Sequence, residues 1–182
     1  MFEIRFHGRG GQGVVLASRV LASAFFKEGS FVQAFPSFGA ERRGAPVIAY
    51  ARADGDEIKA RYGIYKPDCV IVLDQRLTKV ASIAVGLKKE GWIIINSDKK
   101  PSEYRELNPF RIATIDATSI ARRYHLGRSS SPMVNTTILG AFPELTRMVS
   151  IDSILESIRE NVPSKPEDNA QAALEASRSI RV

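Results

Sequence analysis

The sequence predicts an α/β fold, layered around a mostly parallel sheet, with a hairpin insertion and a helical C-terminal end. Three observations carry that expectation. Two almost uninterrupted apolar runs, "DCVIVLD" (Asp68 to Asp74) and "WIIIN" (Trp92 to Asn96), suit strands buried on both faces of a sheet. A glycine-rich junction, "HGRGGQG" (His7 to Gly13), follows the alternating stretch "FEIRF" and precedes a helical pattern. From Asn135 onward the patterning is almost entirely helical.

Taken in order, "FEIRF" is a first strand, and Gly11 to Gly29 carries helical spacing with Val14, Val15, Ala17, Leu21, Ala22 and Phe25 on one side. "FVQAF" is a second strand. Pro46 to Ala53 and Glu57 to Tyr62 flank the turn Asp54-Gly55-Asp56 and predict a hairpin. Leu77 to Glu90 lies between the two apolar runs and predicts a helical right-handed crossover. "FRIATI" is a further strand, and "DATSIARRYHLG" opens a helix on an Asp or Thr cap and closes it at Gly127. Three helical stretches follow: "NTTILGAF", "SIDSILESIREN" and "KPEDNAQAALEASRSI". No repeat, low-complexity tract or linker interrupts the pattern, so one domain over residues 1–182 is expected.

Composition excludes several classes of function. A chain of 182 residues, 44% of them hydrophobic, can bury a self-supporting core. Its 26 basic and 20 acidic residues leave a net charge of +6. The basic residues are scattered, which suits an anionic ligand or an acidic partner surface and argues against nucleic acid. The one cysteine, Cys69, cannot form an internal disulfide, nor supply a four-thiolate iron–sulfur cluster or zinc site. No apolar run approaches a membrane span, and Glu3 interrupts any signal-like N-terminus; a soluble, cytoplasmic protein is expected.

Gly8, Gly10 and Gly13 reproduce the G-x-G-x-x-G spacing of dinucleotide-binding loops. The second support of that reading is missing, because "FVQAF" runs into Pro36 and Ser37 with no acidic residue to hold a ribose. No Lys-Ser or Lys-Thr pair follows the last glycine, so a P-loop is excluded as well. What is left is either an anion-binding junction or a tight turn that binds nothing. Downstream, "QAFPSFGAERRGAPVIAYAR" (Gln33 to Arg52) carries Glu41, Arg42 and Arg43 in a loop punctuated by proline and glycine. Arg42 and Arg43 suit a phosphate, a carboxylate, acids of a partner chain or plain solvation. His7 reads as a ligand-orienting, core or capping residue, and Cys69 as a small buried hydrophobe. Asp74 ends a parallel strand, where ligands often bind, and equally suits a helix cap. Asn135, Thr136 and Thr137 read first as caps.

The stretches "RFHGRGGQGVV", "QAFPSFGAERRGAPVIAYAR", "IYKPDCVIVLD" and "NTTILGAF", with the later Lys165-x-Glu167-x-Asn169, resemble the gamma subunit of pyruvate:ferredoxin oxidoreductases, within the wider 2-oxoacid:acceptor oxidoreductases. The likeness runs from about Ile4 to Asn169. It implies a three-layer α/β sandwich and a subunit that makes no bonds itself. The enzyme it belongs to would convert a 2-oxoacid, most nearly pyruvate, with CoA and oxidised ferredoxin into acyl-CoA, CO2 and reduced ferredoxin. Partner subunits (alpha, beta and delta) would carry thiamine diphosphate, Mg2+ and the [4Fe–4S] clusters, leaving this chain to help bind CoA and assemble the complex. On that reading Gly8, Gly10, Gly11 and Gly13 offer backbone N–H groups to a CoA phosphate. Arg9, Arg42 and Arg43 supply charge, and Gln12 bonds the pantetheine arm or caps the helix. Substrates other than pyruvate, one gamma chain shared between two enzymes, and a free-standing nucleotide-binding protein are the alternatives.

Overall fold

Alternation of apolar residues sorts the strands onto two faces, and the computed structural model, which describes residues 1–37, 44–80 and 82–182, shows what each face meets. The strands are β1 (Phe2–Arg9), β2 (Phe31–Pro36), β3 (Pro46–Asp54), β4 (Cys69–Val72), β5 (Trp92–Asn96) and β6 (Arg111–Ile115). They form one mixed sheet in the order β2-β3-β1-β4-β5-β6. β1, β4, β5 and β6 pair in parallel, while β3 runs antiparallel to both β1 and β2. Register places Ile4 beside Cys69, Phe6 beside Ile71, and Ile71 beside Ile94. That row faces α1 (Val14–Lys27), α3 (Ala117–Arg123), α4 (Ala141–Thr146), α5 (Ile151–Asn161) and α6 (Pro166–Ser177) in the larger core. The alternate row, Val70, Val72, Ile93 and Ile95, is covered by Leu77, Ile83, Leu87, Tyr104 and Leu107. The result is three layers, the third built from a single turn of α-helix, α2 (Leu77–Val80), and short 3₁₀ turns at Pro101–Glu103 and Arg105–Leu107.

Two expected elements take another form. The hairpin arms are β2 and β3, in place of Pro46 to Ala53 with Glu57 to Tyr62. Both edges of β3 are occupied, by β1 and β2, so residues 57–62 have no ladder to join. Their carbonyls turn to side chains instead: Gln33 Nε2 donates to Ile58 O (3.1 Å) and Arg52 Nη2 to Tyr62 O. Among the described residues of the crossover expected over Leu77 to Glu90, only Leu77–Val80 are α-helical. Gly86 adopts φ +77°, and a Cβ there would lie 1.9 Å from the Tyr65 carbonyl oxygen, so the chain turns tightly where a helix would continue.

The remaining helices start where their sequences direct. Asp116 accepts from the Ser119 N–H (2.9 Å) at the start of α3, and Ser150 Oγ from the Ser153 N–H (3.2 Å) at the start of α5. Between α3 and the following helical turns lies a short ribbon of β7 (Gly127–Arg128) and β8 (Ser131–Pro132). Among the described residues no helix is long and apolar enough to cross a membrane.

Candidate functional site

Strands β1, β4, β5 and β6 end on one side of the sheet, and the strand order reverses between the parallel neighbours β1, whose connection leads out to β2 on one side, and β4, which leads to β5 on the other. Ligands of open α/β sheets bind at such a point, where diverging loops leave a crevice. Here the crevice is a cleft of about 470 Å³. Gln12 enters it from the glycine junction, Asp74, Gln75 and Arg76 from the end of β4, Asn96 and Ser97 from β5, Thr118 and Arg122 from α3, and Ser130 and Ser131 from the ribbon.

β1 runs further than its apolar alternation suggests and carries His7, Gly8 and Arg9 in register with β3. Gly8 is therefore a strand residue; a Cβ on it would meet Val14 Cγ2 at 2.5 Å, so its absence lets α1 pack close to the strand. Gly10 donates its N–H to Ala45 O (2.9 Å) and accepts from the Gly44 N–H (3.1 Å). Gln12 closes the turn from inside: its Oε1 accepts from the Arg9 N–H (2.7 Å), and its own N–H donates to Arg9 O (3.0 Å). Gly11 and Gly13 take positive φ, +92° and +72°, and Gly13 is the residue preceding α1. No side chain caps α1 and its first turn holds no acidic residue. Among the described residues the N–H groups of Gly11, Gly13, Val14, Val15 and Leu16 meet no acceptor. Partial positive charge therefore collects at Gly11, Gly13 and the first turn of α1.

Arg9 stands beside this end. Its Nε donates to Asp74 Oδ2 (2.7 Å) and Nη1 to Gly44 O (3.1 Å), while Asp74 Oδ1 accepts from the N–H and Nε of Arg76 (3.0 and 3.1 Å). Burial pushes the Asp74 carboxyl up, but the two arginines outweigh it and hold the group below the usual carboxylate range. The cleft wall opposite combines polar side chains with Arg122, Asp98 and Asp116. Asn96 Nδ2 donates to Leu73 O (2.9 Å) and Thr118 Oγ1 (3.0 Å), and its Oδ1 accepts from the Thr118 N–H (3.1 Å). Tyr104 Oη lies 2.6 Å from Ser97 Oγ and 2.9 Å from Gln75 Oε1. Burial raises the Tyr104 phenol, which stays protonated and able to donate.

The other singled-out residues divide by location. Arg42 and Arg43 lie outside the described residues. His7 is buried in β1, its Nε2 accepting from Arg5 Nε (3.0 Å), and takes no part in the cleft. Cys69 is fully buried, and burial pushes its thiol well above the ordinary range, which leaves it a small hydrophobe. Asn135 and Thr136 are buried and cap nothing. Asn135 Nδ2 reaches back to Gly13 O (3.3 Å), and Thr136 Oγ1 donates to Asn169 Oδ1 (2.6 Å). Sequence reading passed over Gln75, Arg76, Asn96, Ser97, Thr118 and Arg122. Their common signal is position just after, or at the end of, a parallel strand, or in the helix that follows.

The family model for pyruvate ferredoxin/flavodoxin oxidoreductase matches residues 3–179. The chain is 48% identical to pyruvate synthase subunit PorC of Methanothermobacter thermautotrophicus, over 99% of this chain and 96% of that one. It is 46% identical to the common gamma subunit of the pyruvate/ketoisovalerate oxidoreductases of Pyrococcus furiosus, over 100% and 98%. Among solved structures, the pyruvate oxidoreductase subunit PORC of Thermotoga maritima superposes with a TM-score of 0.82 at 33% identity, over 99% and 97% of the two chains.

Proposed function

The chain belongs to the pyruvate ferredoxin/flavodoxin oxidoreductase family as a gamma subunit of a 2-oxoacid:ferredoxin oxidoreductase, and from that premise we propose that it helps bind CoA. In this reading the enzyme converts pyruvate, CoA and oxidised ferredoxin into acetyl-CoA, CO2 and reduced ferredoxin, and the gamma chain makes no bonds itself. Both curated relatives carry pyruvate in their names, which supports that 2-oxoacid; the name of the second also supports a gamma chain shared with an enzyme of 2-oxoisovalerate. The alpha, beta and delta subunits hold the thiamine diphosphate, Mg2+ and [4Fe–4S] clusters. Such cofactors supply decarboxylation and single-electron transfer, while the protein around them supplies orientation.

One observation carries the CoA reading: the amino end of α1 offers several backbone N–H groups, with no acid in its first turn and no side-chain cap, beside the Arg9–Asp74 pair and a polar cleft. Gly11 and Gly13 present N–H groups to a phosphate, while Gly8 and Gly10 shape the turn. Gln12 holds the loop closed, and Arg42 and Arg43 add charge. Isothermal titration of CoA onto the assembled enzyme tests this with Arg9→Ala and with the double variant Arg42→Ala, Arg43→Ala. Loss of a charged phosphate contact is expected to weaken CoA by about tenfold. Unchanged affinity in both variants removes CoA from this loop. Dissociation of the double variant on gel filtration, with CoA affinity intact in what remains assembled, makes the Glu-Arg-Arg loop a subunit contact instead.

A further inference from the structure

Three patterns lie far apart in the chain: the glycine junction, "NTT" at Asn135 to Thr137, and Lys165-x-Glu167-x-Asn169. The fold brings Gly13, Asn135, Thr136 and Asn169 together beside α1, the last three buried, while Lys165 and Glu167 stay exposed. The residue preceding α1, Gly13, is closely approached by Asn135 and by Met133 Cε. A Cβ there would lie 2.4 Å from Asn135 Nδ2, so the amide of Asn135 fills the space a side chain would take. Asn135 is 3% exposed and donates to the Gly13 carbonyl oxygen (3.3 Å). That carbonyl also accepts the first bond of α1, from the Ala17 N–H (3.0 Å).

Asn135 is itself braced. Its neighbour Thr136 is fully buried and donates to Asn169 Oδ1 (2.6 Å). Asn169 Nδ2 in turn donates to Ser164 O (3.1 Å) and Lys165 O (2.8 Å). This stabilises Lys165 in the left-handed conformation (φ +51°) that turns the chain into α6. Lys165 Nζ reaches His125 O (3.1 Å), tying the start of α6 to the turn after α3. The brace therefore joins two elements of the helical layer and ends on the peptide that starts α1. Gln12 and Val134 line the large cleft on one side of this contact. Leu16 and Asn135 line a smaller cavity of about 240 Å³ on the other.

We infer that Asn135 is the positioning residue of the glycine junction, holding Gly13 and the first turn of α1 in the orientation that receives an anion. Thr136 and Asn169 are its brace. The inference rests on the CoA reading above, since the anion it serves is a CoA phosphate.

The test uses steady-state kinetics of the assembled enzyme, with CoA varied and 2-oxoacid and ferredoxin saturating, alongside the thermal midpoint of the complex. Asn135→Asp keeps the shape of the side chain but turns its donor into an acceptor and sets a carboxylate beside the amino end of α1. A negative charge there favours the helix and repels an incoming phosphate. KM for CoA is expected to rise about tenfold or more against a less than about threefold change in kcat, with the thermal midpoint retained. Asn135→Ala removes the bond without adding charge, and a smaller rise in KM is expected. A filler of space alone would leave KM for CoA unmoved in Asn135→Ala, where no charge is added, or would lose thermal midpoint and kcat together; either result overturns the inference. If Arg9→Ala weakens CoA while both Asn135 variants leave KM unmoved, the junction keeps its ligand and Asn135 loses its role. If none of the three variants moves CoA, the CoA reading and this inference both fall.

Discussion

Arg5 and His7 show how one buried charge dictates the state of its neighbour. Arg5 Nη2 donates to the carbonyl oxygens of Ile83 (2.7 Å) and Val85 (2.8 Å), pinning that segment over the sheet, while Nε donates to His7 Nε2. His7 must then be neutral at Nε2, and burial together with the Arg5 charge pushes its pKa down to about 3. An unfolded histidine takes up a proton near pH 6.5 that folded His7 refuses until about pH 3. Folding stability is thus present above pH 6.5 and lost as the pH falls through that window, by at most about 1.4 kcal/mol per pH unit. His7→Gln keeps an acceptor for Arg5 and removes the titration. Urea unfolding at pH 7 and pH 5 should show a larger loss for the parent chain than for the variant; equal losses would mean that His7 protonates in the folded state. Arg52 has a similar structural part. It is buried, bonds Glu3 Oε1 (2.8 Å) and Gln33 Oε1 (3.1 Å), and stacks on Phe35 and Tyr62. The local sequence shows these residues to be polar or aromatic, but not that they satisfy one another across three strands.

At the scale of elements, the readable parts were those whose partners are uniform. β4 and β5 are apolar on both faces because both faces are covered, and α5 and α6 follow their caps and punctuation closely. The segment after β4 departs from its expected helix because Ile83 and Leu87 bury their side chains from non-helical turns as effectively as Leu77 does from the single turn of α2. Spacing of apolar residues cannot separate the two when the covering layer is thin. Gly86 is the residue that decides it. Gly86→Ala forces a strained φ and a clash with the Tyr65 carbonyl, and should destabilise the fold by about 2 kcal/mol or more. A lowered urea midpoint checks this, whereas an unchanged midpoint would show that residues 82–90 can rearrange freely. The hairpin was misassigned for a related reason. Asp54-Gly55-Asp56 is a good turn, but pairing across it would need a free edge of β3, and β1 and β2 hold both.

At the scale of the whole molecule, the order β2-β3-β1-β4-β5-β6 places the glycine junction next to the end of β4 and opens the cleft there. Insertion of β3 also brings Gly44 and Ala45 against Gly10 and Arg9. As a subunit, this chain is expected to show no turnover when purified alone, with neither NAD absorbance nor flavin colour. Co-expression with its partner subunits should yield a brown, cluster-containing complex that reduces ferredoxin with pyruvate and CoA. A lone chain that binds NAD, or that turns over a 2-oxoacid, would contradict the division of labour proposed above.

The sequence by itself determined the α/β class, the buried parallel strands, the glycine junction, the helical C-terminal end and the family. Each of these is written in local periodicity, punctuation or short motifs. Its single thiol also ruled out a four-thiolate cluster on this chain alone. Only the tertiary structure decided which glycines keep N–H groups that meet no acceptor among the described residues, which arms form the hairpin, and which polar residues line the cleft. It alone joined Gly13 to Asn135 and Thr136 to Asn169, contacts across 122 and 33 positions of chain. Hydrogen bonding and close packing at that separation depend on how strands and helices are stacked, and no window of sequence contains both partners.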